Sequence, residues 1–260
     1  MDQTSPIGFF DSGMGGISVL RGARQHLPGE DYLYFGDSLH APYGVRSLEE
    51  VRMLTRAAAE HLLERGVKAI VIACNTATSA AAALLREEYP QIPIIGTEPA
   101  LKPAAERHPG GRILVMATAM TLKEKKFFDL WEQYRDQAEI VPVPCSGLME
   151  FVEQGILRGD EVERFLLEKL EPFTKVPVDA VVLGCTHYPF LLTPLRRILG
   201  RRPEILDSAE GVARQLERRL QELDLLNPRQ SGGKVSFENS LEGPEMLDLS
   251  RSLLDYSLDL

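Results

Sequence analysis

The sequence predicts an α/β fold of two similar lobes, each a mainly parallel sheet flanked by helices. Strand-like and helix-like segments alternate from end to end, as in chains of βαβ units. The alternation restarts partway along, so that residues 1–97 with 205–260 form a discontinuous first lobe and residues 98–204 a second. Two short apolar runs share one plan: Lys68-Ala-Ile-Val-Ile-Ala-Cys74-Asn75-Thr76 and Asp179-Ala-Val-Val-Leu-Gly-Cys185-Thr186-His187. Each reads as a strand buried on both faces that ends in a small residue and a cysteine. Open α/β sheets bind their ligands at that end of the strands.

In the first half, Ile7 to Phe10 reads as a buried strand, Asp11 to Gly16 as a turn and Ile17 to His26 as a helix. A strand over Asp31 to Phe35 follows. Leu48 to Arg65 has helical periodicity, with Ser47 and Glu50 at capping-box spacing and Gly66 as its stop. Val67 to Ala73 is a strand, Thr78 to Tyr89 an alanine-rich helix ended by Pro90, and Ile92 to Ile95 a short strand. The second half repeats the scheme. Arg112 to Met116 is a strand, Leu122 to Tyr134 a helix opened by Thr121 with Glu124 in a capping box, and Glu139 to Val143 a strand. Helices follow over Leu148 to Gly155 and Asp160 to Phe173. Asp179 to Leu183 is the strand before Cys185, and Leu191 to Leu199 a helix. A strand at Glu204 to Leu206 is expected to return to the first lobe ahead of a helix over Glu210 to Leu223. Residues 227–243 read as turns and Leu247 to Leu260 as a terminal helix.

Composition narrows the function. The 260 residues include 44% hydrophobic and 26% charged side chains, the balance of a globular domain rather than a disordered one. A net charge of −9 argues against non-specific nucleic-acid or anionic-membrane binding. Three cysteines without a CxxC spacing make neither a disulfide framework nor a zinc ribbon. No signal peptide is apparent at the start, and no apolar run is long enough to span a bilayer. The expected compartment is the reducing cytoplasm, with free thiols.

The chemistry-bearing residues fall at strand ends. A single cysteine there is ordinarily a small buried hydrophobe. The doubled context, with polar groups after each thiol, points to a pair that acts together. A free thiol has a reference pKa of about 8.5, so acid–base work near neutrality needs help from helix N-termini or nearby charge. Cys145 lacks this context and reads as structural. Asp11 is either a turn carboxylate or one held near a thiol or ammonium group. The Gly13-Met-Gly15-Gly16 turn permits close backbone approach, but Ser18 occupies the third glycine position of a dinucleotide fingerprint, so no dinucleotide is expected. His187 either caps locally or orients and deprotonates Cys185. Zinc held by Cys74, Cys185 and His187 lacks the usual ligand spacing, so no metal is expected. Glu150 and Glu153 share a helical face, a solvated pair by default, from which one carboxylate can polarise His187. Asn75, Thr76, Thr118, Thr121 and Thr186 are single helix caps taken alone. At matching places in two lobes they form a cradle for carboxylates. Pro42-Tyr43-Gly44 reads as a turn or as a pocket wall.

These segments resemble the cofactor-independent aspartate/glutamate racemases, and the bacterial glutamate racemases in particular. The matching pieces are Gly8-Phe-Phe-Asp11-Ser12-Gly13-Met-Gly15-Gly16, Gly36-Asp37 with Pro42-Tyr43-Gly44, Ala73-Cys74-Asn75-Thr76-Ala77, and Gly184-Cys185-Thr186-His187-Tyr188-Pro189, in order over residues 7–212. The resemblance implies an active site between two α/β lobes, with Cys74 and Cys185 as acid/base thiols and Asp11, His187 and Glu153 as auxiliary groups. It implies substrate contacts at Asp11-Ser12, Tyr43-Gly44, Asn75-Thr76 and Thr186-His187. It also implies no cofactor, a homodimer, and D-glutamate supply for peptidoglycan. The chain departs from the family at Met116-Ala117-Thr118, where glycine usually precedes the threonine, and its tail after Asn227 matches poorly.

The expected activity is interconversion of L- and D-glutamate by two-cysteine 1,1-proton transfer, and the resemblance implies that Cys74 serves the D enantiomer and Cys185 the L. The expected partner is the small-molecule substrate, with no nucleic acid or membrane. The alternatives are a racemase for aspartate or a hydantoin, a cysteine hydrolase built on Cys185 and His187, and a non-catalytic amino-acid-binding protein.

Overall fold

The computed structural model describes residues 2–257. Among them the strands are β1 (Ile7–Asp11), β2 (Tyr32–Gly36), β3 (Ala69–Ile72), β4 (Ile94–Gly96), β5 (Arg112–Ala117), β6 (Glu139–Pro144), β7 (Ala180–Leu183), β8 (Glu204–Leu206) and β9 (Val235–Asn239). The helices are α1 (Ile17–His26), α2 (Leu48–Glu64), α3 (Asn75–Glu88), α4 (Leu101–Arg107), α5 (Ala119–Lys123), α6 (Lys125–Tyr134), α7 (Leu148–Glu153), α8 (Asp160–Thr174), α9 (Leu192–Leu199), α10 (Ala209–Glu222) and α11 (Glu245–Asp255). They form two compact units. One holds the residues up to Thr97 with Ala209–Asp255, the other Glu98–Ser208 with Tyr256 and Ser257.

Both sheets are parallel throughout. The first unit has the order β4-β3-β1-β2-β9 and the second β6-β5-β7-β8. Counted within its own unit, each has the order 2-1-3-4, with β9 added beyond β2 in the first. That is a doubly wound sheet, whose switch point lies between its first and third strands. β1, β3 and β7 are buried along their whole length, as strands covered by helices on both faces must be. β1 therefore runs Ile-Gly-Phe-Phe-Asp without polar alternation, and its one carboxylate falls at the carboxyl end.

The helices are started and stopped as their sequences predict in several places. Ser47 and Glu50 form the complete capping box of α2. Gly66 follows that helix at φ 75°, a conformation glycine adopts without strain.

Four expectations are corrected. β8 does not join the first unit. It pairs with β7, with Leu206 opposite Val182, and its leucine packs in the second unit's core beside Ile113 and Val115. The return to the first unit begins at Ala209, where a Cβ on Gly22 of α1 would lie 2.8 Å from the Ala209 Cβ. The Leu122–Tyr134 helix is two helices, because Thr118 rather than Thr121 caps the first and Glu124 adopts extended backbone between them. Residues 227–243 contain β9, an edge strand whose mixed Val-Ser-Phe-Glu-Asn sequence gives no apolar run. The terminal helix ends at Asp255. Tyr256 then packs in the second unit against Phe190 and under Arg158, and the last three positions of that predicted helix lie outside the described residues.

Candidate active site

In the first unit, β1 delivers Asp11 and β3 delivers Cys74 to the carboxyl edge at the switch point. Cys74 is the N-cap of α3, which starts three residues earlier than its alanine-rich stretch suggested. Its Sγ accepts the Ala77 N–H and donates to Ser12 Oγ, each at 3.5 Å. The sulfur thus faces backbone N–H dipoles that favour negative charge. Asn75 and Thr76 form the first turn of α3 and are buried. The Asn75 Oδ1 is buried without a hydrogen-bond partner, an acceptor suited to an ammonium group.

The glycine turn is held tightly. Asp11 is fully buried and its Oδ2 accepts the Gly13 N–H at 3.2 Å, while Tyr34 donates to the Gly13 carbonyl at 2.7 Å. A Cβ on Gly16 would stand 2.6 Å from Asp11 Cβ and 2.9 Å from Ala73 Cβ. The glycine is therefore needed for packing between the two strand ends rather than for a phosphate. Tyr43 and Gly44 lie in a 3-10 turn (Tyr43–Val45). The Tyr43 hydroxyl donates to Asp37 Oδ2 at 2.7 Å, and His40 Nδ1 lies 2.8 Å from Asp37 Oδ1. Burial first, then the Asp37 hydrogen bond and the negative charges of Asp37, Cys74 and Asp11, push the Tyr43 phenol far above its usual range. It stays a neutral donor. Asp37 and His40 were not singled out as site residues from sequence. The available signal was Gly36-Asp37 at the end of β2, and Asp37 takes the Tyr43 turn as its partner.

In the second unit, β5 ends at Ala117 before Thr118, and β7 ends before Gly184 and Cys185. The Thr118 and Thr121 hydroxyls lie 2.9 Å apart, and Thr118 Oγ1 accepts the Thr121 N–H at 3.2 Å. Thr186 and His187 are buried, while Cys185 is half-buried. The Cys185 Sγ lies 3.6 Å from His187 Nδ1, and His187 Nε2 lies 2.7 Å from Glu153 Oε1. Glu153, at the end of α7, is therefore the carboxylate on the histidine. Cys145 is fully enclosed and donates to the Val143 carbonyl at 3.4 Å, and burial pushes its thiol up to about 12. It is inert as a base at neutral pH. Among the described residues, no group of three or more His, Cys, Asp or Glu side chains is arranged to hold a metal ion.

His187 is a buried imidazole whose charge is set by its partners. Burial lowers its pKa, but the hydrogen bonds to Cys185 and Glu153 and their negative charges outweigh it and raise the pKa well above the ordinary value. The folded state thus holds the His187 proton more tightly than the unfolded chain. The resulting stability is fully present below the unfolded pKa of about 6.5 and is lost as pH rises through the folded pKa. Glu153→Gln removes the charged acceptor and is expected to lower the His187 pKa, read from the pH titration of its imidazole NMR resonances. An unmoved titration would show that Glu153 does not stabilise the imidazolium.

The Asp/Glu/Hydantoin racemase family matches residues 17–216 of the chain. A glutamate racemase of Clostridium perfringens is 49% identical over 253 residues, covering 97% of each chain. The crystal structure of a glutamate racemase isoform from Bacillus anthracis is 32% identical with a TM-score of 0.87, covering 98% of this chain and 95% of that one. A glutamate racemase from Francisella tularensis, solved in complex with D-glutamate, is 28% identical with a TM-score of 0.82, covering 99% of both chains.

Proposed function

The chain belongs to the Asp/Glu/hydantoin racemase family and is an amino-acid racemase, and we propose that it interconverts L- and D-glutamate by a two-thiol 1,1-proton transfer without a cofactor. One observation carries this reading. Cys74 and Cys185 stand at the carboxyl ends of equivalent third strands, each beside the first strand of a sheet with the same order. Inversion of a stereocentre requires a base on one face of Cα and an acid on the other. Two equivalent sites, each carrying a single thiol, meet that need.

The Cα proton of glutamate is very weakly acidic, and without an electron sink the protein must stabilise the developing carbanion by fixed dipoles. In this reading, the Cys74 thiolate takes the proton of D-glutamate while the Cys185 thiol protonates the opposite face, and the roles reverse for L-glutamate. Asp11 and the free Asn75 Oδ1 receive the substrate ammonium. Ser12, Thr76, Thr118, Thr121 and Thr186, with the N–H groups at their helix starts, receive the carboxylates. Tyr43 and Gly44 wall the pocket. His187, charged and backed by Glu153, supports Cys185 in its thiolate form. The enzyme works in the cytoplasm as a homodimer and supplies D-glutamate for peptidoglycan.

The test is NMR of L-glutamate with the enzyme in heavy water, followed by chiral analysis. Deuterium should replace the Cα proton as D-glutamate appears. A non-catalytic binding protein would leave protonated L-glutamate unchanged, and that outcome would sink the proposal. Aspartate deuterated faster than glutamate would move the assignment to the shorter acid.

A further inference from the structure

Two loops of the first unit meet at the end of β9, in the part of the chain that matches the family pattern poorly. Asn239 closes that strand opposite Gly36, the last residue of β2. Its amide has two N–H donors and one carbonyl acceptor, and all three are engaged. Oδ1 accepts the Leu241 N–H at 2.9 Å, which fixes the way the amide faces. Nδ2 donates to Ser38 Oγ at 2.9 Å and to Met14 Sδ at 3.6 Å. A thioether is a weak acceptor, so the Ser38 bond is the stronger of the two. Met14 lies in the glycine turn after Asp11 and Ser12, and Ser38 follows Asp37, the acceptor of the Tyr43 hydroxyl. One side chain thus bridges both loops. Gly36 makes room for it, since a Cβ there would stand 2.9 Å from Asn239 Nδ2 and 2.8 Å from the Gly13 carbonyl oxygen. Backbone bonds reinforce the junction. The Ser240 N–H donates to the Gly36 carbonyl, the Leu39 N–H to Ser240 Oγ and the Asp37 N–H to the Asp11 carbonyl, each at 3.0 Å.

We propose that Asn239 is a positioning residue for substrate binding, which holds the turn at residues 11–16 and the loop at residues 36–43 in register with each other. Asp11 and Ser12 meet the substrate from one of them and Tyr43 from the other, so their mutual spacing is part of the binding site. The Asp37–Asp11 backbone bond sets that spacing at the strand ends. Asn239 sets it again beyond them, at Met14 and Ser38. The tail of the chain therefore acts on the site without touching substrate. The same strand supplies a contrast. Side chains alternate across a strand, and Glu238 faces the other way, to His61 and Arg65 of α2. It secures β9 against the helix, and those partners belong to neither loop. The inference rests on Asp11, Ser12 and Tyr43 as substrate contacts, but one of its readouts needs no turnover, so the two claims fail separately.

Asn239→Ala should raise KM for both enantiomers by about 3–10-fold, the worth of one neutral hydrogen bond. It should leave kcat nearly unchanged, because the contacts weakened are made equally to ground state and transition state. Ser38→Ala removes the same bond from its other end and should also raise KM, and it decides the matter if Asn239→Ala does not fold. The double variant should be no worse than Asn239→Ala alone, since the bond is already gone. Glu238→Gln should lower the urea midpoint while KM stays at the parent value. The second readout is a fluorine resonance from Tyr43→3-fluorotyrosine, introduced at that codon alone. It should shift or broaden when Asn239→Ala is added and stay in place with Glu238→Gln. If the parent does not racemise glutamate, the proposed function falls, and the resonance still decides whether Asn239 holds the Tyr43 loop. An unmoved resonance, a parental KM in the folded Asn239→Ala or Ser38→Ala enzyme, or an equal rise in KM from Glu238→Gln overturns the proposal.

Discussion

Cys74→Ala is expected to lower racemisation in both directions by about 10²–10⁴-fold, the range for loss of a positioned general acid or base. Cys185→Ala should do the same. Because L- and D-glutamate are mirror images, their equilibrium constant is unity, and kcat/KM must fall equally in the two directions whichever thiol is removed. Full turnover therefore cannot assign the faces, but a half-reaction can. Elimination from a halogenated glutamate analogue needs only the abstracting base. With the L analogue it should persist in Cys74→Ala and fail in Cys185→Ala, and with the D analogue the pattern should invert. A cysteine hydrolase built on Cys185 and His187 would tolerate loss of Cys74. Circular dichroism of glutamate solutions follows racemisation, and halide release follows elimination. Two single variants that both racemise normally would remove the thiols from the mechanism.

The two thiols differ in how their environments are built, and the sequence exposes only part of that difference. Cys74 has Ser12 and an α-helix N-terminus, both local to strand ends that apolar runs make easy to read. Cys185 has His187 two residues on, also legible. Its second layer comes from Glu153, which lies 34 positions before His187 in sequence and meets its Nε2 at 2.7 Å. Spacing within a motif reports the first kind of contact and is silent on the second. The same limit applies to the fold. β1, β3, β5 and β7 are central strands whose burial forces continuous apolar sequence. β9 is an edge strand, half-exposed and flanked by Gly232 and Gly233, so its mixed composition reads as a turn. β8 has three residues, too few to show which sheet it joins, and only its pairing with β7 decides. The Thr121–Glu124 spacing reads as a capping box, yet Thr118 is three residues upstream of Thr121 and takes its N–H first.

Glu30→Ala is expected to destabilise the protein by about 3–5 kcal/mol, because it strands a buried ammonium. Lys68 Nζ lies 2.5 Å from Glu30 Oε2, with side-chain exposures of 0% and 3%. Lys68 also donates to the Gln3 carbonyl, and Glu30 Oε1 accepts the Asn227 N–H at 2.8 Å. The pair thus ties the N-terminal segment, the starts of β2 and β3, and the segment that leads into β9. Gly233 fits there without a side chain, since a Cβ would fall 1.9 Å from the Glu30 carbonyl oxygen. Burial pushes the Lys68 ammonium below its ordinary pKa, against the pull of Glu30, so the charge is costly to keep even when paired. That makes the double replacement informative. Lys68→Met with Glu30→Leu removes both charges and should regain most of the lost stability, short of about 1–3 kcal/mol for the Asn227 N–H left without an acceptor. Urea midpoints of the two variants against the parent measure this, and equal losses in both would show that the ion pair itself is a net source of stability. Lys68 precedes β3 while Cys74 follows it, so the pair and the thiol occupy opposite ends of one strand. The folded fraction of either variant should keep its racemisation rate.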